Sequence, residues 1–237
     1  MIGSHSLVYP VSCSSGKGLV VLDAFCGCGG NAIAFAQRPE VSLVVCIDTD
    51  LSRLQMAAKN ASIYGIERSK LLFVHDNAVR ILGLYSDGAL INDAQSVSGD
   101  VKSTSLHGYT FGSTLPNRIN CIFLSPPWGG SEYQDIGKGH FQVKTHISVR
   151  DSEDKSVNGQ ELLQMAAEAV KPIVLFLPRN LNGIAMGRSA LQAGYTGSIE
   201  LEKNVLNDKL KTITAYLGLN ESDSMTEHKQ PKGKIDS

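Results

Sequence analysis

The apolar residues of this chain cluster in short unbroken runs, and between those runs they recur every third or fourth position. The runs GLVVLDAF (18–25), VSLVVCID (41–48), KLLFVHD (70–76), RINCIFLS (118–125) and PIVLFLP (172–178) lack polar alternation, the pattern of strands covered on both faces. The periodic stretches at 31–38, 50–65, 77–85, 159–171 and 180–193 read as helices, the last weakened by internal glycine. Strand and helix patterns alternate from the first run onward, which predicts βαβ units with parallel, right-handed pairing. Two final runs, 198–206 and 211–219, are joined by the turn-like NDKL and predict an antiparallel hairpin.

Periodicity is lost in two places. From 86 to 117 the chain is rich in Ser, Gly, Asp, Asn and Thr and too long for an ordinary connection, so a flexible inserted loop is expected. The polar segment 131–158 is expected as a mobile loop over the strand ends. The domain then covers 18–219 with its insertion at 86–117, between a short N-terminal extension (1–17) and a polar tail (220–237) expected to be disordered. The predicted fold is α/β: a Rossmann-like, doubly wound, seven-stranded sheet of five parallel strands plus a C-terminal antiparallel hairpin. Such a sheet binds ligands outside the carboxyl ends of its strands, where the strand order reverses.

Composition narrows the options. At 237 residues and 42% hydrophobic, the chain can bury one large core but not two. Lys and Arg number 22 against 23 Asp and Glu, so no global positive field holds long nucleic acid, and any such substrate must be gripped locally. Cys13, Cys26, Cys28, Cys46 and Cys121 include no CxxC pair and read as free thiols of a reducing compartment. The first residues do not resemble a secretory signal, and no apolar run approaches the ~20 residues of a membrane helix. A soluble intracellular protein is expected. The histidines show no metal-ligand spacing, and no metal is expected.

The candidate chemistry lies where the predicted strands end. LDAFCGCGGN places Asp23 at the first strand's end, then Gly27, Gly29 and Gly30, then Asn31 at a helix start. Glycine lets a ligand approach the backbone, and the N–H groups of the turn supply donors. The string GCGGNA does not keep the order of the dinucleotide fingerprint. The next two runs end at Asp48 and Asp76. A single strand-end aspartate reads equally well as a helix cap or turn residue. Three in succession beside one glycine loop point to a nucleoside-type cofactor. The D-x-F-x-G-x-G-G string at 23–30 resembles the S-adenosylmethionine loop of class I methyltransferases. That resemblance implies S-adenosyl-L-methionine as cofactor, held by Asp23, Phe25, Cys26, Gly27, Gly29, Asn31 and Ser125. Asp48 would take the ribose hydroxyls and Asp76 the adenine amino group.

FLSPPWGG (123–130) ends the fourth run in two prolines that continue neither strand nor helix, so the chain turns outward and holds its only Trp at a strand end. Alone, this could be a surface turn whose Trp plugs the core. SPPW resembles the (Asn/Asp/Ser)-Pro-Pro-(aromatic) motif of methyltransferases acting on planar nitrogen. Together with LDAFCGCGGN, FLPRN (176–180) and NDKLKTITAYLG (207–218), it closely resembles the trimethylguanosine synthase family of cap guanine-N2 methyltransferases. The resemblance runs from about 18 to 218, interrupted at 86–116. It implies a catalytic set of Ser125, Pro126 and Trp128. Ser125 and the Pro126 carbonyl would receive the amine N–H bonds while Trp128 stacks on a cationic 7-methylated guanine. Ser125, Pro127, Trp128, Arg179 and Asn180 would bind the substrate, and Lys209 and Lys211 could add phosphate charge.

The implied reaction converts 7-methylguanosine caps of snRNA or snoRNA type to 2,2,7-trimethylguanosine. The implied partners are capped RNA and snRNP proteins, the implied state a monomer, and the implied location the nucleus, with the cytoplasm as an alternative. Two other readings stay open. One is a shortened paralogue of weak or no activity that binds S-adenosylmethionine or caps. The other is an N-methyltransferase for another RNA base amine or a protein glutamine amide.

Overall fold

A computed structural model describes residues 18–86, 105–112, 115–197 and 199–218. The expected extension at 1–17, most of the insertion and the tail at 220–237 lie outside the described residues. In chain order, β1 (Leu19–Asp23), α1 (Gly30–Ala36), β2 (Val41–Asp48), α2 (Leu51–Ile63), β3 (Leu71–His75) and α3 (Ala78–Ser86) realise the predicted alternation. β4 (Ser105–Leu106), β5 (Tyr109–Phe111) and β6 (Cys121–Leu124) follow. Next come α4 (Val143–His146), β7 (Ser148–Arg150), β8 (Ser156–Asn158), α5 (Gly159–Ala169), β9 (Ile173–Pro178), α6 (Gly183–Gln192), β10 (Glu200–Leu206) and β11 (Lys209–Leu217).

The main sheet has the order β10-β11-β9-β6-β1-β2-β3-β5-β4. The chain runs outward from β1 through β2 to β3, then returns to place β6 on the other side of β1, so the strand order reverses between β1 and β6. Alternate side chains of each strand enter different cores. Val21, Cys46, Phe73 and Phe123 meet α1 and α2 on one face. Leu22, Ile47, Val74, Ile122 and Leu124 meet α3, α5 and α6 on the other. Each fully buried Leu, Ile or Phe contributes roughly 1.5–3 kcal/mol, which is why runs without polar alternation form the middle of the sheet. The hairpin β10–β11 turns at Asn207 and Asp208, both with positive φ (51° and 57°), the mirror-image two-residue turn that matches strand twist.

Two expectations are corrected. The sheet has nine strands among the described residues, not seven. The stretch predicted as a loop from 86 to 117 carries β4 and β5, and β5 extends the sheet in parallel beside β3. Phe111 stacks on Phe73 at 5.2 Å, and the Tyr109 hydroxyl donates to the Ile66 carbonyl at 2.6 Å. A three-residue strand is too short to reveal periodicity in sequence, and its stabilisation comes from aromatic partners distant in the chain.

The second correction concerns 131–158, expected as a mobile loop. It holds a 3-10 turn (Gly130–Asp135), α4 and the hairpin β7–β8. Phe141, Val143, Ile147 and Val149 are buried beneath it and anchor these pieces to the core.

Candidate active site

A cleft of about 510 Å³ opens beyond the carboxyl ends of β1, β2, β3 and β6. Of the predicted site residues, Phe25, Gly27, Asp48, Asp76, Ser125 and Pro127 line it. The glycine loop sets its inner edge. Gly29 has φ +84°, and a Cβ there would sit 2.9 Å from Ala57 Cβ, so the loop packs directly on α2. Gly27, at φ +54°, has nothing within 4 Å of a hypothetical Cβ and leaves the cleft open at that point. Asp48 holds the loop: Oδ2 accepts the Gly27 N–H at 2.8 Å and Oδ1 the Asp50 N–H at 2.9 Å.

Asp76 is tied to its own helix. Its Oδ1 accepts from Asn77 N–H at 2.7 Å and Arg80 Nε at 2.8 Å, and Arg80 Nη2 pairs with Oδ2. The carboxylate holds Arg80 firmly charged, raising its pKa. Any ligand amine at Asp76 must therefore share the carboxylate with Arg80.

Asp23 differs from both. It is fully buried behind the cleft, and neither carboxylate oxygen has a hydrogen-bond partner among the described residues. Burial pushes its pKa from 3.8 to about 7; the Phe25 amide partly offsets this without completing a hydrogen bond, and the Asp48 charge adds to it. Cys26 is likewise buried, and the neighbouring Cys46 thiol together with desolvation raises its pKa well above the usual range, the mark of a packing residue. Asn31 lies in the first turn of α1 and does not reach the cleft lining.

The Pro-Pro turn is joined to the glycine loop. The Ser125 hydroxyl donates to the Phe25 carbonyl at 3.2 Å, linking the end of β6 to the loop after β1 across the point where strand order reverses. Pro126 is buried beneath this link. Trp128 is half-buried, and its indole N–H donates to the Phe176 carbonyl of β9 at 3.1 Å. Its ring tilts 37° on Phe176 at 5.7 Å and meets Tyr133 edge-on at 5.5 Å. The indole is thus fixed in orientation by three contacts.

Arg179 and Asn180 do not join the first cleft. They line a second cleft of about 390 Å³ with Tyr133, Lys138 and Leu210 among its other walls. Trp128 lines neither cleft; it stands between Pro127 of the first and Tyr133 of the second. Asn180 is buried, and its Nδ2 donates to the carbonyls of Tyr133 and Ile136, both at 2.8 Å, bracing the 3-10 turn. Lys209 and Lys211 flank Leu210, and strand alternation places them on the opposite face from that cleft residue.

Sequence reasoning missed Thr49, Arg53, Asn77, Ser148, Val149 and Arg150, which also line the first cleft. Thr49 and Asn77 each follow a strand-end aspartate that had been identified, so position alone could have found them. Residues 148–150 gave no signal, because only the folded hairpin β7–β8 brings them to the end of β3.

A family model described as RNA cap guanine-N2 methyltransferase matches residues 18–220. Among curated proteins, the trimethylguanosine synthase of Schizosaccharomyces pombe is 29% identical over 162 residues, covering 68% of this chain and 51% of that protein. The trimethylguanosine synthase of Saccharomyces cerevisiae is 26% identical over 160 residues, covering 68% and 38%. The chain thus spans about half or less of the length of these relatives. Among solved structures, a SAM-dependent methyltransferase from Agrobacterium tumefaciens superposes with a TM-score of 0.56 at 11% identity, over 87% of this chain and 57% of that one. At that identity the likeness shows the fold alone.

Proposed function

The chain belongs to the RNA cap guanine-N2 methyltransferase family, and from that premise we propose that it methylates guanine N2 of 7-methylguanosine caps to give 2,2,7-trimethylguanosine. S-adenosylmethionine is the cofactor of this family, and it supplies an electrophilic methyl group on a sulfonium. The residues present fit it. The buried, unpartnered Asp23 carboxylate suits a ligand that carries ammonium and sulfonium groups. The open backbone at Gly27 lets a nucleoside approach closely, and Asp48 and Asp76 stand at the cleft edge with acceptor capacity left for hydroxyl and amine donors.

The observation that carries this reading is the Ser125 to Phe25 hydrogen bond, which fixes the Pro-Pro-Trp turn against the cofactor loop. Because the hydroxyl proton points to Phe25, the Ser125 oxygen keeps its lone pairs for an incoming N–H. With the Pro126 carbonyl as second acceptor, an exocyclic amine is held with its hydrogens to the side and its nitrogen facing the cofactor cleft. The fixed Trp128 ring presents a face to a cationic base, an attraction worth roughly 0.5–2 kcal/mol. Arg179 and Lys138 in the adjoining cleft meet the phosphates that follow such a base. The amine proton leaves after the methyl arrives, so no strong base is required. Caps of snRNA or snoRNA type, snRNP proteins as neighbours and a nuclear location go with this proposal.

The deciding experiment measures transfer of labelled methyl from S-adenosylmethionine to 7-methyl-GTP by the 237-residue chain, with GTP alongside. Product from the 7-methylated nucleotide alone is expected. Equal product from GTP would remove the cationic-base role of Trp128, and cofactor binding without product from either would leave a binding chain or another acceptor.

A further inference from the structure

Asn77 follows Asp76 at the end of β3, and its Oδ1 accepts the N–H groups of Val79 at 2.9 Å and Arg80 at 3.3 Å, capping α3. A cap needs only that oxygen. The Nδ2 of the same amide donates at 2.8 Å to the carbonyl of Arg150, 73 residues away in β7. The amide cannot be turned over: its oxygen would then face the Arg150 carbonyl and its NH₂ would face two N–H donors.

The hairpin β7–β8 stands apart from the main sheet. Its root is firm, since Val149 is buried, Gly159 N–H donates to the Ile147 carbonyl at 2.9 Å, and Asn158 caps α5 through Gln160 and Glu161. Its cleft side is Ser148, Val149 and Arg150, which share the first cleft with Asp76, Asn77, Ala78 and Val79. The Arg150 guanidinium is turned back to the Asp154 carbonyl at 2.7 Å, so it is the strand's backbone that meets β3.

We propose that Asn77 is a positioning residue that latches the β7–β8 hairpin across the cofactor cleft, making residues 148–150 its outer wall and slowing loss of bound cofactor. The cofactor half of this inference rests on the functional reading above. The latch itself is a property of the free chain.

The test compares the full chain with Asn77→Ser and Asn77→Asp. Both keep an oxygen able to cap α3, and both lack the amide donor. In ligand-free protein, amides of the hairpin are expected to exchange with solvent ~10-fold faster or more in both variants, while those of α3 are unchanged. Titration with S-adenosylmethionine is expected to show a ~10-fold weaker Kd, arising from faster dissociation, with the KM for 7-methyl-GTP moved by less than about 2-fold. Asn77→Asp adds a negative charge and Asn77→Ser adds none, so a loss shared by the two variants is not a charge effect.

Unchanged hairpin exchange overturns the latch, and a weaker Kd with unchanged exchange assigns Asn77 to direct contact instead. Faster exchange with an unchanged Kd removes the hairpin as a wall. A wild-type chain that binds no S-adenosylmethionine sinks the functional reading and the cofactor half together, while the exchange measurement still decides the latch.

Discussion

On the β1 to β3 side of the reversal in strand order, the site is made of carboxylates joined to nearby backbone: Asp48 to Gly27 and Asp50, and Asp76 to Asn77 with Arg80 one turn on. On the β6 to β9 side it is made of rings and a turn braced from a distance. Trp128 is bonded to Phe176, 48 residues on, and Asn180 reaches back 47 residues to the Tyr133 carbonyl. The first side is held by carboxylates bonded to the turns at its strand ends, Asp48 reaching 21 residues back to Gly27, and on the function proposed above it would recognise its ligand by charge. The second is held by ring packing and by hydrogen bonds between segments nearly fifty residues apart, and on the same proposal it would recognise by shape and ring electrostatics. The two sides should therefore respond separately to substitution: one in cofactor affinity, the other in acceptor turnover.

The sharpest break between them is expected at Trp128. Trp128→Ala should lower kcat/KM for 7-methyl-GTP by on the order of 100-fold or more, while the Kd for S-adenosylmethionine stays within about 3-fold. Equal losses in both, measured by steady-state kinetics and titration calorimetry, would merge the two sides into one.

Asp23 should act on the cofactor side alone, and its pH dependence has a definite sign. Its folded pKa of about 7 lies above the ordinary 3.8, so between those values the folded chain binds a proton that the unfolded chain does not. Stability of the ligand-free chain should fall as pH rises from about 4 to about 7, by roughly 1.4 kcal/mol per pH unit as an upper bound. Affinity for the cationic cofactor should rise over the approach to pH 7 and above, as the carboxylate ionises. Asp23→Asn is expected to flatten both trends, raising ligand-free stability at pH 8 and weakening S-adenosylmethionine binding there by roughly 30-fold. Thermal melts and titrations at pH 5.5 and 8 check this; a pH-independent affinity in the wild-type chain would mean that Asp23 is not the counter-charge.

On the acceptor side, Asn180→Asp replaces two donors facing the Tyr133 and Ile136 carbonyls with a carboxylate. The 3-10 turn should loosen, raising the KM for 7-methyl-GTP by roughly 10-fold with cofactor Kd unchanged. The smallest effect is expected from Lys209→Ala combined with Lys211→Ala, below about 2-fold in either constant, because both side chains leave the hairpin on the face away from Leu210. A larger loss that vanishes at high salt would put the RNA path across that face.

The legible parts of the site were those whose physics is local. Asp23, Asp48 and Asp76 could be placed because each ends an apolar run, and Gly27 and Gly29 because a tight turn after a strand needs positive φ. Ser125 and Trp128 could be placed because two prolines force the chain out of the sheet. The hairpin β4–β5 was not legible, since Tyr109 and Phe111 gain their stability against Phe73 and the Ile66 carbonyl, more than thirty residues away. Nor was the separation of Arg179 and Asn180 into a second cleft, which depends on the 3-10 turn that Asn180 itself braces.

Sequence alone thus determined the strand order's raw material, the carboxylates that end the first three apolar runs, the glycine turn and the aromatic turn after β6, because apolar runs, glycine and proline act within a few residues of themselves. Tertiary structure decided which polar groups were already engaged. It left Asp23 buried without a partner, gave Asp76 to Arg80, fixed the Trp128 ring on Phe176 and brought Arg150 to Asn77. Those outcomes depend on burial and on donors arriving from distant segments, and a hydrogen bond's partner is chosen only once the chain has closed around it.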